Sequence, residues 1–368
     1  MSARFLTVVL ERAFNMRDGF GREIDYMRIS VIDSCNLNCY YCNPCDNNEH
    51  CHALNILSVK EVLCRAATRL GIKHFRLTGG EPLLHPQLDE MVLQIKKIPG
   101  VSSVSLTTNA VLLAQHAKWL KEAGIDSINV SLDTIDASEY ERITKKPLLE
   151  EVKHGINAAI ECGIRVKINV VLTPQTDVVA LTRYVAKKGT DIRFIEMMPV
   201  GEGHTNGVEP YKKVIGTLSK LYGEPCRINT EKTKEINSGN DKRKIPDNGP
   251  AEYYIFPELG IRVGLIQAIH GKFCDTCNRI RVTADGRLMP CLGSSVTMDL
   301  VPDSWDFADD VEKDFAIVRA LRAAIKAKPR CHNFNDNAVT YTKTTETKTT
   351  EIEAAEVNAA RNMSRIGG

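Results

Sequence analysis

The sequence has no long hydrophobic run, no large surplus of either charge and no internal repeat beyond short strand–helix units. Without such a run, no segment reaches the length a membrane helix needs. The longest apolar stretch near the start, Phe5 to Leu10, is too short for the apolar region of an export signal. No membrane role is expected, and the expected location is the cytoplasm. Lys and Arg number 48 against 46 Asp and Glu, a net charge of +2. So small an excess argues against a coat of nucleic acid, and any anion site has to be built locally. The nine histidines show no ligand spacing, and His50 and His52 read as loop. What remains is a chain of 368 residues, 43% hydrophobic and 26% charged, enough for about two domains and a large core.

With no export signal, the 12 cysteines are expected in a reducing compartment, where metal ligation outranks disulfides. Six of them form two groups, Cys35-x3-Cys39-x2-Cys42 and Cys274-x2-Cys277-x13-Cys291. Each group offers one thiolate fewer than a closed cluster needs. A four-iron cube on three cysteines keeps one iron open for another ligand. The bland reading is a structural zinc site. Cys45, three residues after Cys42, could add a fourth thiolate, and spacing alone leaves both readings open. Cys64, Cys162, Cys226 and Cys331 read as small residues in cores or on surfaces.

Six β-rich runs recur at Met27–Ile32, His74–Leu77, Ser103–Leu106, Ile128–Leu132, Val166–Leu172 and Ile192–Glu196. Between them, Leu88, Met91, Val92 and Ile95 have helix-face spacing, as do Leu113, Ala117 and Leu120, and Val178, Leu181 and Val185. Gly71, Gly124, Gly163 and Gly189 are placed as helix C-caps. The alternation predicts an α/β fold: a partial (β/α)6 TIM-like barrel over residues 1–229, with ligands at the carboxyl ends of the strands. Residues 230–249 read as a polar linker. Residues 250–368 read as a C-terminal iron–sulfur domain, with a threonine-rich stretch before a Gly-Gly end.

One strand–helix unit after the first cysteine group stands Gly79-Gly80-Glu81-Pro82. Glycines at a strand end let backbone approach a ligand closely. A CxxxCxxC loop followed by GGEP resembles the radical S-adenosylmethionine superfamily. The second group, within Phe273-Cys274-Asp275-Thr276-Cys277-Asn278-Arg279-Ile280-Arg281 and on to Thr283-Ala284-Asp285-Gly286 and Cys291-Leu292, resembles the GTP 3′,8-cyclase family of molybdenum cofactor biosynthesis. Asp18-Gly19-Phe20-Gly21-Arg22, Arg28-Ile29-Ser30-Val31, Val166 to Val171, Arg193-Phe194-Ile195-Glu196 and the terminal Gly367-Gly368 extend the likeness.

The resemblance implies two 4Fe-4S clusters, on Cys35, Cys39 and Cys42 and on Cys274, Cys277 and Cys291. It implies S-adenosylmethionine held by Tyr41, Gly80, Ser131 and Met198. GTP would be held by Arg28, Arg76, Thr107, Lys167, Arg279, Ile280 and Arg281, with its guanine on the open iron of the second cluster. Gly367 and Gly368 would enter the active site and steer the substrate radical. The implied partners are an external one-electron reductant and the next pterin-forming enzyme of the pathway; a homodimer is left open. This chain departs from the family pattern at Asn43, His74, His85 and Ala110, and Cys45 and Cys51 are additions. Two alternatives stand beside this reading: a twin-cluster enzyme modifying a peptide, and a non-catalytic metal-binding protein. With Cys331 alone following Cys291, the first of these finds few cysteines to work with.

Overall fold

The computed structural model describes residues 16–42, 52–53, 63–200, 203, 207–228, 249–294, 296–300, 310–332 and 334. Asn43, Cys45, Cys51, residues 230–248, the threonine-rich stretch and Gly367-Gly368 lie outside the described residues.

Six parallel strands run side by side in chain order: β1 (Tyr26–Ser30), β2 (His74–Thr78), β3 (Ser103–Thr108), β4 (Ser127–Ser131), β5 (Val166–Leu172) and β6 (Asp191–Glu196). Helices α1 (Cys64–Arg69), α2 (Leu88–Lys96), α3 (Leu113–Glu122), α4 (Ala137–Thr144), α5 (Leu149–Glu161) and α6 (Val178–Lys187) make the crossovers. All six expected strands are present. The apolar positions expected on α2, α3 and α6 are buried. Each such Leu, Ile, Val or Met removed from water contributes about 1.5–3 kcal/mol. The four expected C-cap glycines all have positive φ.

The strands alternate in a way that makes a cavity rather than a packed centre. Met27, Ile29, Phe75, Leu77, Val104, Leu106, Ile128 and Val130 are fully buried in the apolar core. The residues between them, Arg28, Arg76, Ser105, Thr107 and Asn129, turn to the other face and line a cavity. A barrel filled for stability carries branched apolar side chains there instead.

After β6 come α7 (Gly216–Tyr222), β7 (Cys226–Arg227), β8 (Glu252–Ile255) and β9 (Arg262–Ile266). Then follow β10 (Arg279–Val282), β11 (Arg287–Met289), β12 (Met298–Asp299) and α8 (Asp310–Lys326). These strands extend the same sheet at both edges. β9 pairs parallel with β6, and β10 pairs parallel with β1. β8 and β7 continue antiparallel beyond β9, as do β11 and β12 beyond β10. The short connection from β9 to β10 therefore passes from one edge of the six-stranded wall to the other, and it carries Cys274 and Cys277. Among the described residues no helix is long and apolar enough to cross a membrane.

Candidate active site

A cavity of about 570 Å³ lies inside the barrel, and all six cysteines of the two groups line it. The first group follows the carboxyl end of β1. Cys274 and Cys277 precede the amino end of β10, which lies beside β1 with Arg279 opposite Tyr26. The two triads thus lie toward opposite ends of the five-residue β1, which is itself roughly 16 Å long at about 3.3 Å per residue.

Neighbouring loops fix the first triad. Asn38 and Tyr40 donate their backbone N–H groups to the carbonyls of Thr144 and Ile143, at 3.0 and 3.1 Å. Gly79 and Gly80 make room for the chain itself. A Cβ on Gly79 would stand 2.3 Å from the Ile32 carbonyl oxygen, and one on Gly80 would stand 2.2 Å from that of Ser34. The sequence suggested that these glycines admit a ligand; the close neighbour is the strand-end leading to Cys35. Gly80 also lines the cavity. Glu81, fully buried, accepts from Leu83 N at 3.1 Å, Thr108 Oγ1 at 2.6 Å and Asn109 N at 2.7 Å. Asn109 Nδ2 then donates to Asn36 Oδ1 at 2.7 Å and to Cys35 Sγ at 3.8 Å. Burial pushes the Glu81 carboxyl up to about 7 against those three donors.

Burial also pushes Cys35 and Cys42 up to about 12, helped by Glu81 for the first and by Cys35 for the second. Cys39 is raised by burial, Cys42 and Asp133. Three thiols this reluctant to ionise become thiolates only against a strong cationic centre. At the second triad the balance reverses. Burial raises Cys277, but Arg279 and Lys328 bring it down to about 6. Arg279 Nη2 stands 3.7 Å from its sulfur. Among the described residues, no three His, Cys, Asp or Glu side chains draw together tightly enough to hold a single metal ion. Three thiols at each end of the cavity are the donor set that an open-iron cube takes, and both sets fit an iron–sulfur cube in that respect.

Between the triads lies a band of cations. Arg281, Arg28 and Arg76 are paired in register across β10, β1 and β2, at the strand spacing of roughly 4.8 Å. They sit mid-strand, deeper than the strand ends the sequence suggested. Burial, then Arg281, hold Arg28 well below its ordinary value. Burial and Arg279 bring Arg281 down to about 10. Arg76 donates to Tyr26 Oη, and its Nη1 lies 3.3 Å from Thr107 Oγ1. Lys167 is buried, with Nζ 6.0 Å from the centre of the Tyr253 ring. The Arg279 guanidinium lies 4.9 Å from the Phe273 ring centre. Ile280 does not join this set. Strand alternation turns its side chain into the apolar core, where it is 1% exposed.

Tyr41, Ser131 and Met198 line the cavity. Tyr41 Oη donates to Asp133 Oδ2 at 2.5 Å, and Asp133 Oδ1 accepts from Val171 N at 2.7 Å. Burial raises Asp133 to about 6, against those two donors. Sequence reasoning gave no role to Tyr26, Asn109, Asp133, Arg193, Glu196 or Lys328, all of which line the cavity. Arg193 and Glu196 stood in a stretch already marked as family-like, and period-two reading of β6 turns Arg193 to the side of Ile195. Nothing local marks Lys328. Of the departures, His74 shares a hydrogen bond of 2.8 Å with Ser103 Oγ, and buried His85 accepts from Gln87 N at 3.2 Å.

The chain matches the family model described as Radical SAM superfamily over residues 29–180, and Molybdenum Cofactor Synthesis C over residues 190–334. It is 35% identical over 324 residues to a GTP 3′,8-cyclase of Clostridium perfringens (strain SM101 / Type A), covering 87% of this chain and 95% of the relative. The chain belongs to the GTP 3′,8-cyclase family. A GTP 3′,8-cyclase of Pelotomaculum thermopropionicum is 36% identical over 327 residues, covering 86% of this chain and 95% of that one. Among solved structures, Streptococcus suis SuiB bound to S-adenosylmethionine aligns with a TM-score of 0.54 at 15% identity, covering 80% of this chain and 68% of the other. That likeness concerns the fold. As a GTP 3′,8-cyclase the enzyme is a lyase of the first step of molybdenum cofactor biosynthesis, with S-adenosylmethionine and two 4Fe-4S clusters as the family's cofactors.

Proposed function

We propose that the cavity seats S-adenosylmethionine at the Cys35/Cys39/Cys42 end and GTP across the arginine band, with guanine toward Cys274, Cys277 and Cys291. The observation that carries this is the in-register row Arg281–Arg28–Arg76 between the two thiol triads. Three guanidiniums side by side on one cavity wall, that of Arg281 buried, repel one another, and a triphosphate removes that repulsion while filling their forked donors. A cluster held by Cys35, Cys39 and Cys42 would supply the one electron for cleavage of S-adenosylmethionine, the chemistry by which the ribose 3′ hydrogen of GTP would be taken and C3′ joined to guanine C8. The residues do the rest. Arg28, Arg76, Arg281, Lys167, Thr107 and Arg279 orient the nucleotide. Tyr41, Gly80, Ser131 and Met198 orient the cosubstrate. The surrounding wall excludes water from the reacting carbon.

Gly367 and Gly368 are proposed to enter the site after hydrogen abstraction and steer the substrate radical. The electron comes from a separate one-electron reductant, and the product passes to the next pterin-forming enzyme in the cytoplasm. Anaerobic reconstitution followed by incubation with GTP and S-adenosylmethionine is the direct test. About eight irons per chain and a cyclised nucleotide are expected. Arg28→Ala and Arg281→Ala should each weaken GTP binding by about 1.5–3 kcal/mol while S-adenosylmethionine binding holds. GTP affinity unchanged in both would refute the arginine band as the triphosphate site.

A further inference from the structure

The second triad is drawn from two stretches of chain, and buried cations tie both to the turn that follows α8. Lys328 is 3% exposed. Its Nζ donates to the carbonyl of Arg279 at 2.8 Å and to that of Pro290 at 2.9 Å. The first lies two residues after Cys277, the second directly before Cys291. Arg22 is also buried. Its Nη1 donates to the carbonyl of Cys274 itself at 2.7 Å and to that of Arg330 at 3.0 Å, and its Nη2 to Pro329 at 2.6 Å. Asp18 Oδ2 holds Arg22 Nε at 2.5 Å. The Asp18–Arg22 stretch, marked in the sequence without a role, thus meets the turn that carries Lys328.

Lys328 is an unusual cation. Among the described residues it forms hydrogen bonds to carbonyls and no ion pair with a carboxylate. Its favourable charge interactions are with the Cys277 and Cys291 sulfurs. A buried ammonium without a carboxylate partner is costly, so its counter-charge has to come from the thiolates and what they hold.

We infer that Lys328 is a positioning residue for the second cluster: it clamps the Cys277 and Cys291 stretches together and sets a positive charge beside the cluster they hold, while Arg22 fixes Cys274. This rests on the reading of that triad as a cluster site. Two consequences separate it from a merely structural lysine. Reduction adds negative charge to a cluster, so a fixed ammonium nearby makes its reduction potential less negative. Charge, not shape, carries that effect.

The test uses the full-length chain with Cys35, Cys39 and Cys42 changed to Ala, so that the second cluster alone gives the iron signal. This chain should hold about four irons; none would remove the cluster reading itself, and the inference with it. In that background, Lys328→Met should move the midpoint potential, followed by electron paramagnetic resonance, to more negative values. Lys328→Arg should leave it close to the parent. A Met variant with full iron and the parent potential overturns the inference. Should the Met variant fail to load, the Arg variant decides: iron retained supports the clamp, and equal loss in both overturns it.

Discussion

A carboxylic acid buried as deeply as Glu81 holds its proton more tightly in the folded chain than in the unfolded one. Its value rises from 4.5 to about 7, and burial is the first cause. The sign follows. The contribution to stability is fullest below about 4.5 and falls as pH rises towards 7, by about 1.4 kcal/mol per unit. Urea unfolding at pH 5 and pH 7.5 should show this loss in the parent chain, and a smaller one in Glu81→Gln. Equal slopes in the two would place the proton elsewhere. The sequence made the neighbourhood of Glu81 visible, since GGEP was conspicuous, but not its task. It holds Asn109, which holds the Cys35 loop. Ala110, where the family commonly has Gly, takes a φ of 66°. A left-handed Ala costs about 1–2 kcal/mol, so the departure is a backbone matter and leaves the site's chemistry alone.

Elements were legible where a local period announced them. All six barrel strands, and the apolar faces of α2, α3 and α6, follow from residues a few places apart. The strands from β8 to β12 were not legible, because the partners of β9 and β10 lie far back in the chain and leave no local trace. The two roles of glycine were only half legible. Gly155, inside α5, lets that helix lie against the start of α3: a Cβ there would stand 2.4 Å from the Ala110 carbonyl oxygen and 3.0 Å from Leu113 Cβ. Gly155→Ala gains about 1 kcal/mol of helix propensity but forces the two segments apart. A net loss of about 1–3 kcal/mol is expected on denaturant unfolding. Gly80→Ala acts on the site instead. Its Cβ would push against Ser34, next to Cys35, so reconstituted iron should fall by about half, from the first cluster alone. Full iron in that variant would show that the loop yields without consequence.

At the scale of the whole molecule, the site is shared between distant parts of one sheet. Cations from β1, β2, β5 and β10 converge on one cavity with both thiol triads. The tail is the remaining part. Removing Gly367 and Gly368 should leave iron content and 5′-deoxyadenosine formation largely intact while the cyclised nucleotide falls. Cyclised product at the parental rate would leave the two glycines without a role.

The pairing of β10 with β1 also sets an order of events during synthesis. Asn278 Nδ2 bonds Asp25, 253 residues earlier, at 2.6 Å, beside the register that sets Arg281 against Arg28. A ribosome adding about 5–20 residues per second needs tens of seconds to bridge that gap. For that interval the outer edge of β1 waits without its final neighbour, and Arg28 and Arg76 wait without Arg281. The nascent chain has a nearly finished wall long before it has a nucleotide site, and the strand that pairs with that edge brings Cys274 and Cys277 with it.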